Sequence, residues 1–162
     1  MEKIEWVEEY LAAAIKLAYD EGHEPALKLL HNVLMEEPGY GRLHNTMGVI
    51  YCYEADNAAH AELHFKLAIK FDPGFADPYW HLGNLLYDDN RLDEAIKIFK
   101  KGLKARQAKK SQLLHFTGKA YELKKKYGRA LAYYKDALGS SAETWDCLLI
   151  ENSIKRCKRK QS

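Results

Sequence analysis

The sequence contains few cysteines, and no two of them lie close together along the chain. Cys52, Cys147 and Cys157 are the only three among 162 residues, and no Cys-x-x-Cys pair occurs. An odd number of widely spaced thiols predicts neither a disulfide framework nor a zinc site. We therefore expect the cysteines to be reduced.

Long apolar runs and targeting patterns are also missing. No apolar run approaches the roughly 18 residues of a membrane-spanning helix. The first residues lack the basic and then apolar order of a secretory signal. These absences predict a cytoplasmic protein with no membrane span. The composition, with 47% hydrophobic and 30% charged residues, is typical of a folded chain with solvated helices.

Motifs that support catalysis are absent as well. The sequence has no Gly-rich phosphate loop, no Gly-x-Ser-x-Gly turn and no Walker lysine. Among seven histidines the only close pair is His60 and His64, and no third metal ligand accompanies them. We expect this pair to lie on a solvated helix face. The sequence predicts no enzyme activity, no cofactor and no metal site.

The sequence does contain an internal repeat. Alanines recur at intervals of 35, 34 and 35 residues, at Ala26, Ala61, Ala95 and Ala130. Four residues after each alanine stands a large side chain, in the order Leu30, Phe65, Phe99 and Tyr134. Glycines precede the last three alanines in the same register, at Gly48, Gly83 and Gly118. A period close to 34 residues indicates a helical solenoid.

Each repeat is predicted to form two amphipathic helices joined by a short polar turn. In the first repeat the pattern breaks around Gly22, and Pro25 stands near the start of the second helix, where proline is tolerated. The later pairs are predicted at about 41–54 and 58–71, 76–87 and 92–105, and 111–124 and 128–138. We expect the small residues to let the two helices approach closely, with the large ones filling the space beside them.

The third repeat carries the most complete signature, in Tyr79, Leu82, Gly83, Tyr87, Ala95, Phe99 and Leu103. This series resembles the tetratricopeptide repeat family, and the resemblance covers roughly residues 7–142. It implies an all-α, right-handed superhelical solenoid of antiparallel helix pairs, forming a single domain over 1–162. The repeats are expected at about 7–40, 41–75, 76–109 and 111–142. Ala14 stands where the family usually has glycine, and Gln107 replaces the closing proline of the third repeat.

A final helix is predicted to follow the repeats, from about Glu143 to Cys157. A solenoid needs such a cap because its last repeat would otherwise expose an apolar face. The side chains expected to pack are Trp145, Leu148, Leu149 and Ile154. The basic tail from Lys155 to Lys160 is predicted to be a solvated terminus, with an arm for acidic partners as the alternative.

Charge is unevenly distributed along the chain. Residues 1–40 contain 3 basic and 9 acidic residues, residues 41–95 contain 4 and 9, and residues 96–162 contain 18 and 5. A solenoid keeps sequence order in space, so one end is expected to be acidic and the other basic.

The resemblance to the repeat family implies a binding scaffold whose first helices line a concave groove. On this chain the groove is expected to include Tyr53, Asp77, Trp80, His81, Asn84, Tyr87, His115, Phe116 and Lys119. Further lining positions are Leu11, Ile15, Tyr19, Arg42, Asn45, Val49 and Gln112. Exposed aromatic side chains bury much area with few rotatable bonds. We therefore expect an adaptor that binds a peptide or helix of a protein partner, anchored by Trp80, Tyr87, His115 and Phe116.

One subtype of the family holds terminal carboxylates of heat-shock chaperones with lysine, arginine and asparagine side chains. The matching positions here hold Leu11, Ile15, Thr46, Asp77 and His81. Shifted by one repeat, they hold Asn45, Val49, His81, Gln112 and Phe116. Neither set can grip a carboxylate, so the chain is expected to be a generic member rather than a co-chaperone.

Two alternatives concern the basic half. Its cations predict binding of a polyanion, either a nucleic acid or an acidic protein, which salt would weaken steeply. They are Lys97, Lys100, Lys101, Lys104, Arg106, Lys109, Lys110 and Lys124 to Lys126. The acidic and basic ends could also associate head to tail between copies of the chain, a contact that propagates unless it closes.

Overall fold

The computed structural model describes residues 2–141 and 144–161, except for the side chains of residues 2–4, 144 and 145. Within these ranges the backbone forms nine α-helices, which confirms the all-α fold class. They are α1 (Glu2–Glu21), α2 (His23–Glu36), α3 (Gly41–Tyr53), α4 (Ala58–Phe71), α5 (Asp77–Asp88), α6 (Leu92–Gly102), α7 (Lys110–Leu123), α8 (Tyr127–Gly139) and α9 (Thr144–Gln161). None of the helices described is both long and apolar enough to span a membrane.

Two helix ends differ by several residues from the sequence expectation. Helix α6 ends at Gly102 instead of residue 105, because the chain tightens into turns in which the N–H groups of Lys104 and Ala105 donate to the carbonyls of Lys101 and Gly102. Helix α9 continues to Gln161, beyond residue 157. The expected end of the fourth repeat at residue 142, the expected start of the last helix at residue 143 and the Trp145 side chain lie outside the described residues.

The chain divides into two compact units, Met1–His81 and Leu82–Ser162. In the first unit α1 packs against α2 and α3, and α3 packs against α4. In the second unit α7 packs against α6, α8 and α9. The first unit has 6 basic and 14 acidic residues, and the second has 19 and 9. The single domain over 1–162 stays a prediction.

The turn inside each repeat places one residue in the left-handed backbone region. These residues are spaced at nearly the repeat period and are Gly22 (φ 98°), Asp56 (φ 47°), Asn90 (φ 58°) and Lys125 (φ 55°). In the last three turns the next N–H donates back to a carbonyl of the first helix, as Arg91 does to Leu86 at 2.8 Å. This geometry reverses the chain within three or four residues, so the two helices of a repeat lie side by side.

Proline carbonyls join successive repeats in the first unit. The Nε2–H of His44 donates to the carbonyl of Pro38 at 2.9 Å, and the hydroxyl of Tyr79 donates to the carbonyl of Pro73 at 2.9 Å. Both donors lie near the start of a first helix, six residues after the proline. The same register position therefore ties each new helix to the end of the preceding repeat.

Within a repeat, the two helices meet where a glycine faces an aromatic ring. A Cβ atom added at Gly83 would lie 2.2 Å from Cε1 of Phe99. The corresponding distances are 2.6 Å from Gly48 to Phe65 and 2.6 Å from Gly118 to Tyr134. Only a hydrogen atom fits at these three positions.

The first repeat has no such glycine. Ala14 stands at that position, and Leu30 takes the place of the aromatic residue; both are completely buried in the core of the first unit. A methyl group on one helix is accommodated because the partner side chain is smaller than a phenyl ring. The departure at Ala14 therefore keeps the packing that the repeat requires.

Helix α9 covers the second unit with a face that includes the predicted residue Ile154 but neither Leu148 nor Leu149. Ile150 and Cys157 are buried, and Ile154 packs on the same core. Leu148 and Leu149 stay 48% and 42% exposed, so the expectation that they pack was wrong. The spacing of four and three residues from Ile150 to Cys157 sets the buried face and leaves the two leucines off it.

A buried carboxylate anchors the end of α9. Glu122 is 6% exposed and accepts hydrogen bonds from Arg156 Nε at 2.9 Å, Arg156 Nη2 at 2.8 Å, Lys160 Nζ at 2.9 Å and the Tyr134 hydroxyl at 2.6 Å. The Arg156 hydrogen bonds lower the pKa of Glu122 to about 2. Two cations of the basic tail thus have their acidic partner within the chain, which explains why the helix continues beyond residue 157.

Gly83→Ala should lower the free energy of unfolding by about 1–3 kcal/mol, because the new methyl group overlaps the Phe99 ring. Gly128→Ala is the matched control, since a Cβ there meets nothing within 4 Å. Urea denaturation monitored by helical circular dichroism measures both changes. Equal stability of the Gly83→Ala variant and the wild type would contradict the close approach.

Glu122→Gln should lower the free energy of unfolding at pH 7 by about 1–3 kcal/mol, because two cations lose their buried partner. The pKa of Glu122 is about 2 in the folded chain and 4.5 ordinarily, so its contribution is present above 4.5 and is lost as pH falls toward 2. This acid loss should be smaller in the variant. Glu151→Gln, which removes an exposed carboxylate of α9, should leave urea midpoints nearly unchanged. A Glu122→Gln variant as stable as wild type would contradict the anchoring role.

Candidate functional site

Three predicted groove residues meet in the second unit. The ring of Phe116 on α7 lies 5.9 Å from that of Tyr87 on α5 in an edge-to-face arrangement. One turn beyond Phe116, the Nζ atom of Lys119 lies 4.1 Å from the Phe116 ring centroid and 5.2 Å from that of Tyr87. All three side chains are half-buried, and burial lowers the pKa of Lys119. We call Tyr87, Phe116 and Lys119 the Phe116 cluster.

His115, beside this cluster, is held by the last helix. The Ser153 hydroxyl donates to the carbonyl of Leu149 at 3.1 Å, so the Nε2–H of His115 donates to Ser153 Oγ across 3.0 Å. The His115 ring also lies 5.5 Å from the Tyr134 ring. Burial lowers the pKa of His115 to about 4, which keeps the imidazole neutral at pH 7. The structure therefore gives this residue a contact inside the fold in addition to its position on a first helix.

Two more predicted groove residues meet in the first unit. The Tyr53 hydroxyl lies 3.3 Å from Nδ1 of His81. The His81 ring also stacks on the buried ring of Phe65, with 5.3 Å between the ring centroids and an angle of 11° between the planes. Burial lowers the pKa of His81. Tyr53 itself remains 58% exposed, so this stack leads from the core to the surface.

The remaining predicted groove residues differ in exposure. Trp80 is half-buried, and Asp77 is exposed at the start of α5. Asn84 is half-buried, but its Oδ1 atom is buried and has no hydrogen-bond partner among the described residues. These positions lie on one first helix, as the repeat register predicts, and the binding role of the whole set stays a prediction.

A cleft of about 250 Å³ opens in the first unit between α1, α3 and the start of α5. Its lining includes Glu8, Leu11, Ala12, Ile15, Arg42, Asn45, Thr46, Phe75 and Asp77. Leu11 is only 4% exposed, so it forms the floor rather than an open contact surface. Asn45 is 8% exposed, and its Oδ1 atom is buried without a hydrogen-bond partner in the described part of the chain.

Glu8 and Phe75 are cleft residues that the sequence reasoning missed. The Glu8 carboxylate forms an ion pair with Arg42 Nη2 at 3.1 Å and accepts a hydrogen bond from the Tyr40 hydroxyl. The Arg42 guanidinium lies 5.9 Å from the Phe75 ring centroid. Glu8 precedes Leu11 by three positions and therefore lies on the same face of α1, so helical spacing from Leu11 could have predicted it as a cleft residue. Phe75 lies between α4 and α5, where no helical period applies.

The expected solvated histidine pair is only half solvated. His60 is exposed, but His64 is buried, and its Nδ1 lies 3.1 Å from Nδ1 of His44. Because His44 uses its Nε2–H on Pro38, its Nδ1 is an acceptor, and the Nδ1–H of His64 donates to it. Burial lowers the pKa of both rings, that of His64 to about 4. The phase of α4, which turns the neighbouring Phe65 into the core, also buries His64.

No group of three His, Cys, Asp or Glu side chains is placed to hold a metal ion within residues 2–141 and 144–161. The facing Nδ1 atoms of His44 and His64 are instead joined by a hydrogen bond within the fold.

These helix pairs, with a glycine against an aromatic ring at a period near 34 residues, define an all-α helical repeat protein. Residues 76–109 and 111–144 match the family model for the tetratricopeptide repeat. Residues 76–109 and 111–144 are therefore two tetratricopeptide repeats. A search of curated proteins gave no match.

Solved structures with the same fold include three at low sequence identity. PilF of Pseudomonas aeruginosa is 17% identical with a TM-score of 0.84, over 99% of this chain and 71% of that one. A MamA protein is 22% identical with a TM-score of 0.73, over 83% and 72%. The OM64 TPR domain of Arabidopsis is 18% identical with a TM-score of 0.63, over 74% and 94%. The similarity supports the solenoid fold across nearly the whole chain.

Stability should fall as pH decreases from about 6.5 toward 4, because the unfolded chain protonates His64 at its ordinary pKa and the folded chain does so only near 4. For this residue the loss between pH 7 and pH 5 should be roughly 1–2 kcal/mol. His64→Gln should show a smaller pH dependence in urea unfolding, whereas His60→Gln, which changes an exposed neighbour, should match wild type. The same dependence in both variants would contradict the buried pair.

Proposed function

We propose that the chain is a non-catalytic interaction module that binds a peptide segment of a partner protein on the exposed faces of its first helices. The Phe116 cluster is the main anchor in the second unit, where Asn84 and His115 also belong to the proposed binding residues. In the first unit the proposed binding residues are Tyr53, Asp77, Trp80 and His81. Tetratricopeptide repeat proteins are in general protein–protein interaction scaffolds, which supports this class of function. A cytoplasmic location is part of the proposal.

The observation that carries the proposal is a difference in exposure between the repeat aromatics of the second helices and the aromatics at predicted groove positions of the first helices. The repeat aromatics of the second helices, Phe65, Phe99 and Tyr134, have no exposed surface. Trp80, Tyr87 and Phe116 on first helices are half-buried, and Tyr53 is mostly exposed. Core packing therefore accounts fully for the first set and only in part for the second.

The Phe116 cluster has the properties of a binding anchor. Its two rings are fixed by contact with each other, and Phe116 also lies 6.0 Å from the buried Phe99. A ring held in this way loses little conformational entropy when a ligand covers it. The Lys119 ammonium over the rings is attracted by their faces, which leaves ring edges for a large apolar side chain of the partner.

The polyanion alternative receives less support from the second unit. Lys100 Nζ lies 5.3 Å from the Tyr133 ring centroid and 5.7 Å from that of Tyr121. Lys124 pairs with Asp93. Two of the cations named for that alternative are thus already engaged with side chains of the same unit, which favours a peptide partner.

Phe116→Ala should weaken binding of the partner peptide by about ten-fold or more, because the anchor ring is lost. A partner is first captured from nuclease-treated lysate, its shortest binding peptide is synthesised, and its affinity is measured by calorimetric titration. Trp80→Ala tests the second aromatic position separately. Met35→Ala, which removes an 84% exposed side chain of the second helix α2, is the matched control and should bind as wild type does.

Circular dichroism must show that each variant keeps its helical content. Equal affinity of the Phe116→Ala variant and the wild type would contradict the anchor. Recovery that disappears with nuclease would instead support the polyanion alternative.

A further inference from the structure

We infer that the cleft of the first unit binds an extended, cationic peptide: Asn45 accepts a peptide N–H, and Asp77 and Glu8 receive a lysine or arginine side chain. The inference rests on the proposed function, since it assigns one partner chemistry to one part of the first-helix surface. It goes beyond that function by naming the charge, the conformation and the contacts of the bound segment.

Asn45 provides the first argument. Its side chain is more than nine-tenths buried in the cleft wall, and its Oδ1 has no hydrogen-bond partner among the described residues. A buried acceptor without a donor is unfavourable, and a donor arriving from the cleft removes that cost. The last torsion of an asparagine side chain is soft, so the amide can turn to present Oδ1 to a peptide N–H.

Charge at the rim provides the second argument. Asp77 is exposed. Glu8 accepts a hydrogen bond from the Tyr40 hydroxyl with one carboxylate oxygen, and its other oxygen pairs with Arg42, whose side chain is 57% exposed. Exposed ion pairs of this kind are weak, so an incoming cation can share the Glu8 carboxylate while Arg42 stays near Phe75. With 14 acidic and 6 basic residues, the first unit attracts cations and repels acidic segments.

The size and floor of the cleft provide the third argument. Leu11, Ala12 and Ile15 form an apolar strip along α1, and Ile15 is 55% exposed. This strip suits an aliphatic side chain beside the cation. The cleft holds about 250 Å³ and is partly open to solvent, so we assign to it an extended segment that inserts single side chains, and not a whole α-helix about 10–12 Å in diameter.

A library of short peptides with neutral, capped ends tests the inference on the intact chain. Wild-type protein should enrich peptides with lysine or arginine next to an aliphatic residue. Asn45→Ala and Asp77→Asn should each weaken the best cationic peptide by about ten-fold. Replacing the peptide's cation with glutamate should abolish binding. Asn is well tolerated at a helix start, so Asp77→Asn preserves α5.

The matched controls remove the same groups elsewhere in the first unit. Asn32→Ala changes an exposed asparagine of α2, and Asp20→Asn changes an exposed carboxylate of α1. Both should bind the cationic peptide as wild type does. Equal weakening by Asp20→Asn would mean that the general acidity of the unit, and not the cleft, recognises the peptide, and this would overturn the inference.

The remaining outcomes separate this inference from the proposed function. Two outcomes overturn the inference but not the proposed function, provided that the enriched peptides still depend on Phe116. In the first, the enriched peptides show no preference for cations. In the second, cationic peptides bind the Asn45→Ala and Asp77→Asn variants as tightly as they bind wild type. No enrichment of any peptide by wild-type protein overturns both.

Discussion

The contact between a glycine on one helix and an aromatic ring on its partner is the constraint on which the structure depends. At Gly48, Gly83 and Gly118 the facing ring occupies the space where a Cβ atom would stand. This contact fixes how the last three helix pairs are rotated, and the rotation decides which side chains of the first helix point away from its partner. The exposed positions considered for binding therefore follow from a packing requirement, although their chemistry does not.

This constraint also explains why the fold was predictable from one sequence. The glycine, the alanine and the large residue contact one another within a single repeat, so their spacing recurs and is visible without any structure. The turn positions recur for the same reason, since each requires one left-handed residue, as at Asp56 and Asn90. Helix ends were less predictable at α6, where the closing proline is replaced and the chain tightens into turns after Gly102.

Features that depend on a single contact were not predictable. His64 belongs to no repeat signature, and its burial becomes visible only when His44 is found opposite it. The end of α9 depends on the contacts of Arg156 and Lys160 with Glu122, which is more than 30 residues away in sequence, and no other repeat has such contacts among the described residues. The register gave the positions of Tyr87, Phe116 and Lys119, but their mutual contacts depend on side-chain conformations that no spacing encodes.

The central claim is that the exposed faces of the first helices form the binding surface. Amide chemical shifts of isotope-labelled protein, followed during titration with a partner peptide, test this claim directly. The account predicts that the largest changes fall on exposed positions of the first helices, around Tyr53 and Trp80 and around Phe116. Changes concentrated on the second helices α4, α6 and α8, with the first helices unaffected, would contradict it.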